Sequence, residues 1–269
     1  MKYDLIACDY DDTLLPPSKE VSRYSRNVIS RYVELGGRFV ICSGRMFASI
    51  RGVAAELNLH GDAICYQGAL TKNLDTGETL DYTEIHPDLA VEYVKFLQNY
   101  PVVIQLYADD TLYIEKENPY STRYAKFCGV TAHAEGNLES FIRRNTSPIN
   151  KVYCYIPAGQ CEFLRNRAIE AFGDRLLINS SKPWNVEAVD IGASKGKAVG
   201  ALAQRYGISM QKVMTIGDNL NDVDMIECAG LGVAVGNAVD ALKLKADYIT
   251  ADDAEDGVAK AIEKFCFGL

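Results

Sequence analysis

Leu5-Ile6-Ala7-Cys8 is a short apolar run that ends abruptly in Asp9-Tyr10-Asp11-Asp12, and the same arrangement recurs along the chain. Arg38-Phe39-Val40-Ile41-Cys42 runs into Ser43-Gly44-Arg45, Ala63-Ile64-Cys65-Tyr66 into Gln67-Gly68, and Val213-Met214-Thr215-Ile216 into Gly217-Asp218-Asn219-Leu220-Asn221-Asp222. Apolar runs of this length, closed by turn formers, read as strands buried on both faces, which is what a parallel sheet requires. Between them apolar residues recur at helical spacing. Ser18 can cap a helix through Val21, Val28, Ile29, Val33 and Leu35, ended by Gly36-Gly37; a second helix carries Phe47, Ile50, Val53, Ala54 and Leu57. Strands alternating with helices predict an α/β fold with a parallel sheet and right-handed crossovers.

The texture changes near residue 82. A helical pattern over Asp88 to Tyr100 precedes two alternating runs, Val102 to Tyr107 and Leu112 to Glu115, which read as a hairpin around Asp109-Asp110. A helix near Tyr120 to Cys128, a strand Lys151 to Ile156, a helix Glu162 to Phe172 and a strand pair over 176–178 and 184–189 come next. The alternating strand–helix pattern resumes at Ser194, with a helix from Lys195 closed by Gly207 and strands at 213–216, 232–235 and 248–250. The expected organisation is a core of residues 1–81 and 190–269 with an α+β module, 82–189, inserted into it.

Composition narrows the function. The 269 residues carry a formal charge of -8, which disfavours a nucleic-acid binder with its basic face. Eight cysteines are scattered without a CxxC pair, as in a reducing compartment, and three distant histidines offer no histidine-rich metal site. The N-terminus lacks the pattern of a signal peptide, and no apolar run approaches membrane-spanning length. A cytoplasmic protein without a membrane partner is expected, as a monomer or small homo-oligomer.

Four polar clusters fall at or beyond the ends of separate elements, where open parallel sheets bind ligands: Asp9 with Asp11, Ser43-Gly44, Lys195, and Asp218 with Asn221 and Asp222. Carboxylates from distant parts of the chain repel one another unless a cation lies between them, and an all-oxygen ligand set points to Mg²⁺. A lysine and a hydroxyl beside them complement an anion with several acceptor oxygens, for which phosphate is the candidate.

With these residues in view, the sequence resembles the haloacid dehalogenase superfamily of phosphohydrolases, and within it the Cof-type sugar-phosphatase branch with a large α/β cap. DYDDTLL, ICSGR, YQGA, ASKG, GDNLND and VAVGNA occur in the family's order across the chain, and GDxxND after an apolar strand is the most specific of them. The resemblance implies a Rossmann-like core with an inserted cap, and a Mg²⁺-dependent hydrolase of small phosphomonoesters, sugar phosphates foremost. It makes Asp9 the nucleophile that forms an aspartyl-phosphate. Asp11 becomes the acid that protonates the leaving alcohol and the base that activates water, ligating Mg²⁺ through its backbone carbonyl. Tyr10 (by its N–H), Ser43, Gly44, Lys195 and Asn221 hold phosphate; Asp9 and Asp218 ligate Mg²⁺ by their side chains; Asp222 orients Lys195 or a metal-bound water.

Structural alternatives stand beside these roles. Ser43 can cap its helix, Asp222 can complement a helix N-terminus, and Arg45 can be a salt-bridge partner or a substrate contact. Asp12 occupies a position that is often glycine in the family. A phosphomutase would keep the same residues, and a phosphometabolite sensor would keep the pocket without needing the acid at Asp11.

Overall fold

The structure, a computed structural model, describes residues 2–18, 20–157, 159–180 and 182–269, and of Phe127 only the backbone. Two compact units are present: Met1–Arg45, Ile50–Asp81 and Ser194–Leu269 form the first, Met46–Ser49 and Tyr82–Ala193 the second.

The first unit is built on a five-stranded parallel sheet in the order Tyr248–Ile249, Leu231–Ala234, Val213–Gly217, Leu5–Cys8, Arg38–Ile41. Leu5–Cys8 is paired on both edges, Leu5 standing opposite Val213 and Arg38, and all four of its residues are fully buried. Leu5 and Ala7, alternate residues on one face, pack with Val40 against Ala198, Val199, Leu202 and Ala203 of the helix Lys195–Arg205. Such two-sided burial explains why the strand reads as an unbroken apolar run.

Two expectations for this unit are corrected. The run at 63–66 forms the strand Asp62–Cys65, which meets the parallel sheet in the expected parallel sense, but only through an isolated bridge from Ile64 to Cys42, and its extended partner is the antiparallel strand Leu70–Asn73. The expected turn at Gln67-Gly68 is a tight loop, and the chain turns back on the strand through it. The first helix is Arg23–Glu34, and its cap is Ser22, whose hydroxyl accepts from the Ser25 N–H at 3.0 Å. Ser18 lies a full turn too early to reach that group.

The second unit centres on a mostly antiparallel six-stranded sheet in the order Leu176–Asn179, Asn185–Asp190, Ile149–Tyr155, Val103–Ala108, Thr111–Ile114, Ala132–Ala134. Ile104, Leu106, Val152, Cys154, Val186 and Ala188 put one face into a core shared with the helices Pro87–Leu97, Leu138–Arg144 and Cys161–Phe172. The alternate residues are polar yet buried: Lys151 Nζ meets Glu187 at 3.0 Å, and Gln105 Nε2 donates to Ser121 at 3.1 Å. Asp109 and Asp110 have φ of 45° and 55°, the left-handed pair that a two-residue hairpin turn demands. The Asp110 carboxylate accepts from the Phe47 and Ala48 N–H groups at 2.7 and 2.8 Å, in the first turn of the helix Phe47–Glu56.

No disulfide joins any of the eight cysteines, six of which are buried. No helix among the described residues is long and apolar enough to cross a membrane.

Candidate active site

Asp9 is the first residue beyond the Leu5–Cys8 strand, and its N–H still donates to the Ile216 carbonyl at 2.9 Å. Lys195 opens the helix Lys195–Arg205, whose N-terminus is capped by Ser194. The Lys195 ammonium is buried between two carboxylates, 2.6 Å from Asp9 Oδ1 and 2.6 Å from Asp222 Oδ1. The other Asp222 oxygen accepts the Asp218 and Asn219 N–H groups at 3.0 and 3.1 Å. One carboxylate thus closes its own turn and holds the lysine. The turn needs Gly217, because a Cβ there would fall 2.6 Å from the Asp222 Cβ.

Thr13 donates from Oγ1 to Asp218 Oδ1 at 2.8 Å and is buried. Sequence reasoning misses this contact, and the available signal is the place of Thr13 two residues after Asp11 in DxDxT. Its hydroxyl settles the rotamer of a carboxylate that comes from the opposite end of the chain.

Oxygens of Asp9, Asp218 and Asp222 lie within 4.8 Å of one another. Burial raises the Asp9 pKa, and the Asp222 and Asp218 charges add to this against the opposing pull of Lys195. Burial and then Asp222 push Asp218 up to about 7. For Lys195, burial acts downward, but Asp222 and Asp9 outweigh it and hold the ammonium protonated. Three carboxylates facing one ammonium leave the cluster short of positive charge, and its donors are all hard oxygens. The set fits a divalent cation such as Mg²⁺. Asp222 is already engaged through both oxygens, so Asp9 and Asp218 are the better placed side-chain ligands.

The Asp11 carboxylate is not part of this cluster. Arg45 grips it, Nε to Oδ2 at 2.7 Å and Nη2 to Oδ1 at 2.6 Å, and the guanidinium also lies over the Tyr10 ring at 4.8 Å. Arg45 is therefore a buried ion-pair partner of a candidate catalytic group. The Tyr10 carbonyl accepts from the Leu14 and Leu15 N–H groups, closing the turn that carries both aspartates. Ser43 is buried with its hydroxyl 3.2 Å from the Arg45 N–H, and Gly44 forms the bend between them. The first N–H groups of the next helix go to Asp110, so Ser43 does not cap it. Asn221 donates from Nδ2 to Gln67 Oε1 at 3.0 Å.

Paired carboxylates, a buried lysine and a hydroxyl at the carboxyl ends of a parallel sheet define an α/β enzyme site built for an anionic substrate. A family model for haloacid dehalogenase-like hydrolases matches residues 6–262, and the chain belongs to that family, among its phosphatases. It is 30% identical to the 5-amino-6-(5-phospho-D-ribitylamino)uracil phosphatase YcsE of Bacillus subtilis (strain 168), over 96% of this chain and 94% of that one. Pyridoxal phosphate phosphatase YbhA of Escherichia coli (strain K12) is 26% identical, over 96% and 97%. The crystal structure of a haloacid dehalogenase-like hydrolase from Bacteroides thetaiotaomicron superposes with a TM-score of 0.86 at 29% identity, covering 97% of this chain and 99% of that one.

Proposed function

We propose that the chain is a Mg²⁺-dependent phosphomonoesterase of small phosphorylated metabolites, sugar phosphates foremost, that works through an aspartyl-phosphate on Asp9. The observation that carries this is Lys195, buried and shared between Asp9 and Asp222 beside Asp218. Asp9 attacks phosphorus as the bond to the leaving oxygen breaks, and Asp11 gives that oxygen its proton. Asp11 then takes a proton from the water that attacks the aspartyl-phosphate, which releases inorganic phosphate and restores Asp9. Lys195 neutralises charge on Asp9 and the transferring phosphoryl group, while the Tyr10 and Gly44 N–H groups, Ser43 and Asn221 receive the phosphate oxygens. Mg²⁺, held by the Asp9 and Asp218 side chains and the Asp11 carbonyl, supplies positive charge to the phosphoryl oxygens when bound.

Residues 1–81 and 190–269 are assigned as the catalytic core and 82–189 as the cap that selects substrate. Eight cysteines without a disulfide suit a cytoplasmic location. The test is phosphate release from a panel of phosphomonoesters, with Mg²⁺ or chelator, for wild type and Asp9→Asn. Release that needs both Mg²⁺ and Asp9 is expected. Ester binding without release would reject the hydrolase, and transfer of phosphate to a second sugar hydroxyl would make it a mutase.

A further inference from the structure

The loop after Asp62–Cys65 has an unusual backbone. Consecutive residues Tyr66 and Gln67 have φ of 51° and 59°, in the left-handed region that side chains avoid. The loop joins antiparallel strands through four residues, a length ordinarily built around a type I turn without such a pair. Strained backbone of this kind persists where its surroundings over-determine it.

Those surroundings are three of the four segments that carry the phosphate-binding candidates, all but the Tyr10 turn. The Gln67 N–H donates to the Ser43 carbonyl at 3.2 Å, and the Tyr66 N–H to the Arg45 carbonyl at 3.0 Å, which fixes both ends of the Ser43-Gly44-Arg45 bend. Gly68 lies flat against the start of the lysine helix; a Cβ there would fall 2.3 Å from the Ser194 oxygen and 2.8 Å from the Lys195 nitrogen. The Gln67 side chain is buried, and its Oε1 accepts from Asn221 Nδ2. An asparagine amide has two N–H groups and a carbonyl oxygen, so an acceptor placed on the nitrogen side decides which end faces an anion.

We propose that Gln67 is a positioning residue, which turns the Asn221 amide nitrogen toward the substrate phosphate while its loop braces the Ser43 bend and the start of the lysine helix. This rests on the phosphate-binding role proposed for Asn221. Gln67 acts through Asn221, whose proposed partner is the phosphate common to all these esters, so its removal weakens every phosphomonoester by the same factor.

The experiment measures inorganic phosphate affinity by calorimetry with Mg²⁺ present, and steady-state kinetics on an alkyl and a nitrophenyl phosphate. The variants are Gln67→Met, which removes the acceptor, and Gln67→Asn, which tolerates the left-handed backbone but is one methylene too short to reach. Each is compared with Asn221→Ala and combined with it. Either variant is expected to raise KM and the phosphate Kd about tenfold, equally for both esters, with kcat within about threefold, an effect of the size of one charge-assisted hydrogen bond. In the Asn221→Ala background neither variant should weaken binding further. Losses that multiply with Asn221→Ala, an unchanged Kd, or a loss confined to one ester would overturn the assignment. A wild type that binds phosphate but hydrolyses no ester sinks the hydrolase reading alone, and the Kd comparison still decides Gln67. A wild type that does not bind phosphate rejects both.

Discussion

Arg45 holds both carboxylate oxygens of Asp11, through Nε and Nη2 at 2.7 and 2.6 Å, with its guanidinium buried and the carboxylate partly open to solvent. A bidentate fork fixes a carboxylate in plane as well as in position, which a lysine cannot do. Proton transfer to a leaving group needs one oxygen released while the other stays held. Arg45→Ala should therefore impair the acid role of Asp11 and leave phosphate binding alone. Poor leaving groups need that proton and nitrophenolate does not. We expect kcat/KM for an alkyl phosphate to fall about 10–100-fold and for nitrophenyl phosphate to change by less than about threefold, with Arg45→Lys in between. Equal losses on both substrates would place Arg45 in phosphate binding instead.

Lys195 is ion-paired with Asp9 and Asp222 at once, and its ammonium is fully buried between them. Lys195→Met would leave these two and Asp218 buried without it. Removing one partner of a buried pair typically costs about 3–5 kcal/mol, because the remaining charge is uncompensated. Urea unfolding of the metal-free variant should show a loss of that order, partly recovered with Mg²⁺. A variant as stable as wild type without metal would show that the cluster is neutralised in some other way.

The raised pKa of Asp218, about 7 against 3.8 for an ordinary aspartate, has two consequences for pH dependence. Between those values the folded state holds a proton that the unfolded state has lost. The contribution of Asp218 to the stability of the metal-free protein is therefore fully present below about pH 4 and is lost as pH rises through 7. Asp9, raised by burial, acts in the same direction. Ligation requires the ionised carboxylate, so Mg²⁺ affinity should weaken about tenfold per pH unit below 7. Denaturation midpoints at pH 5 and 8 with and without Mg²⁺, and calorimetric titration across the same range, check both. Metal-independent stability that rises from pH 5 to 8 would contradict this picture.

Much of the core was legible in the sequence because a doubly covered parallel strand has a plain signature. Leu5–Cys8 and Val213–Gly217 lie where their apolar runs end in carboxylates. The run at 63–66 has the same signature, but whether a strand joins a sheet in parallel or folds back depends on the connection after it. Here the connection is a loop in which Gly68 is left-handed, as a glycine there suggests, but so are Tyr66 and Gln67 before it, residue types that do not announce that conformation. Ser22 and Ser18 look alike as caps, and only three-dimensional reach separates them. In the site, the aspartates and Lys195 stand out by spacing. Thr13, Arg45 and Gln67 act through partners 205, 34 and 154 residues away, a distance over which a single sequence carries no local pattern.

Asp12 shows how a backbone constraint can resemble a functional substitution. Its φ is 60°, so the turn after Asp9 needs a left-handed residue at the very position where the family often has glycine. Aspartate is among the side chains that tolerate this conformation, through short polar contacts with the backbone. Asn237 Nδ2 donates to the Asp12 carbonyl at 2.8 Å, a contact that any residue there preserves. Asp12→Gly and Asp12→Asn should then keep stability within about 0.5 kcal/mol and leave phosphate release intact. Asp12→Val, β-branched at positive φ, should lose about 1–3 kcal/mol. Thermal unfolding of the three variants beside their activity separates the explanations. If Asp12→Asn folds as well as wild type but loses Mg²⁺-dependent turnover, the Asp12 charge serves the metal site and the backbone account is insufficient.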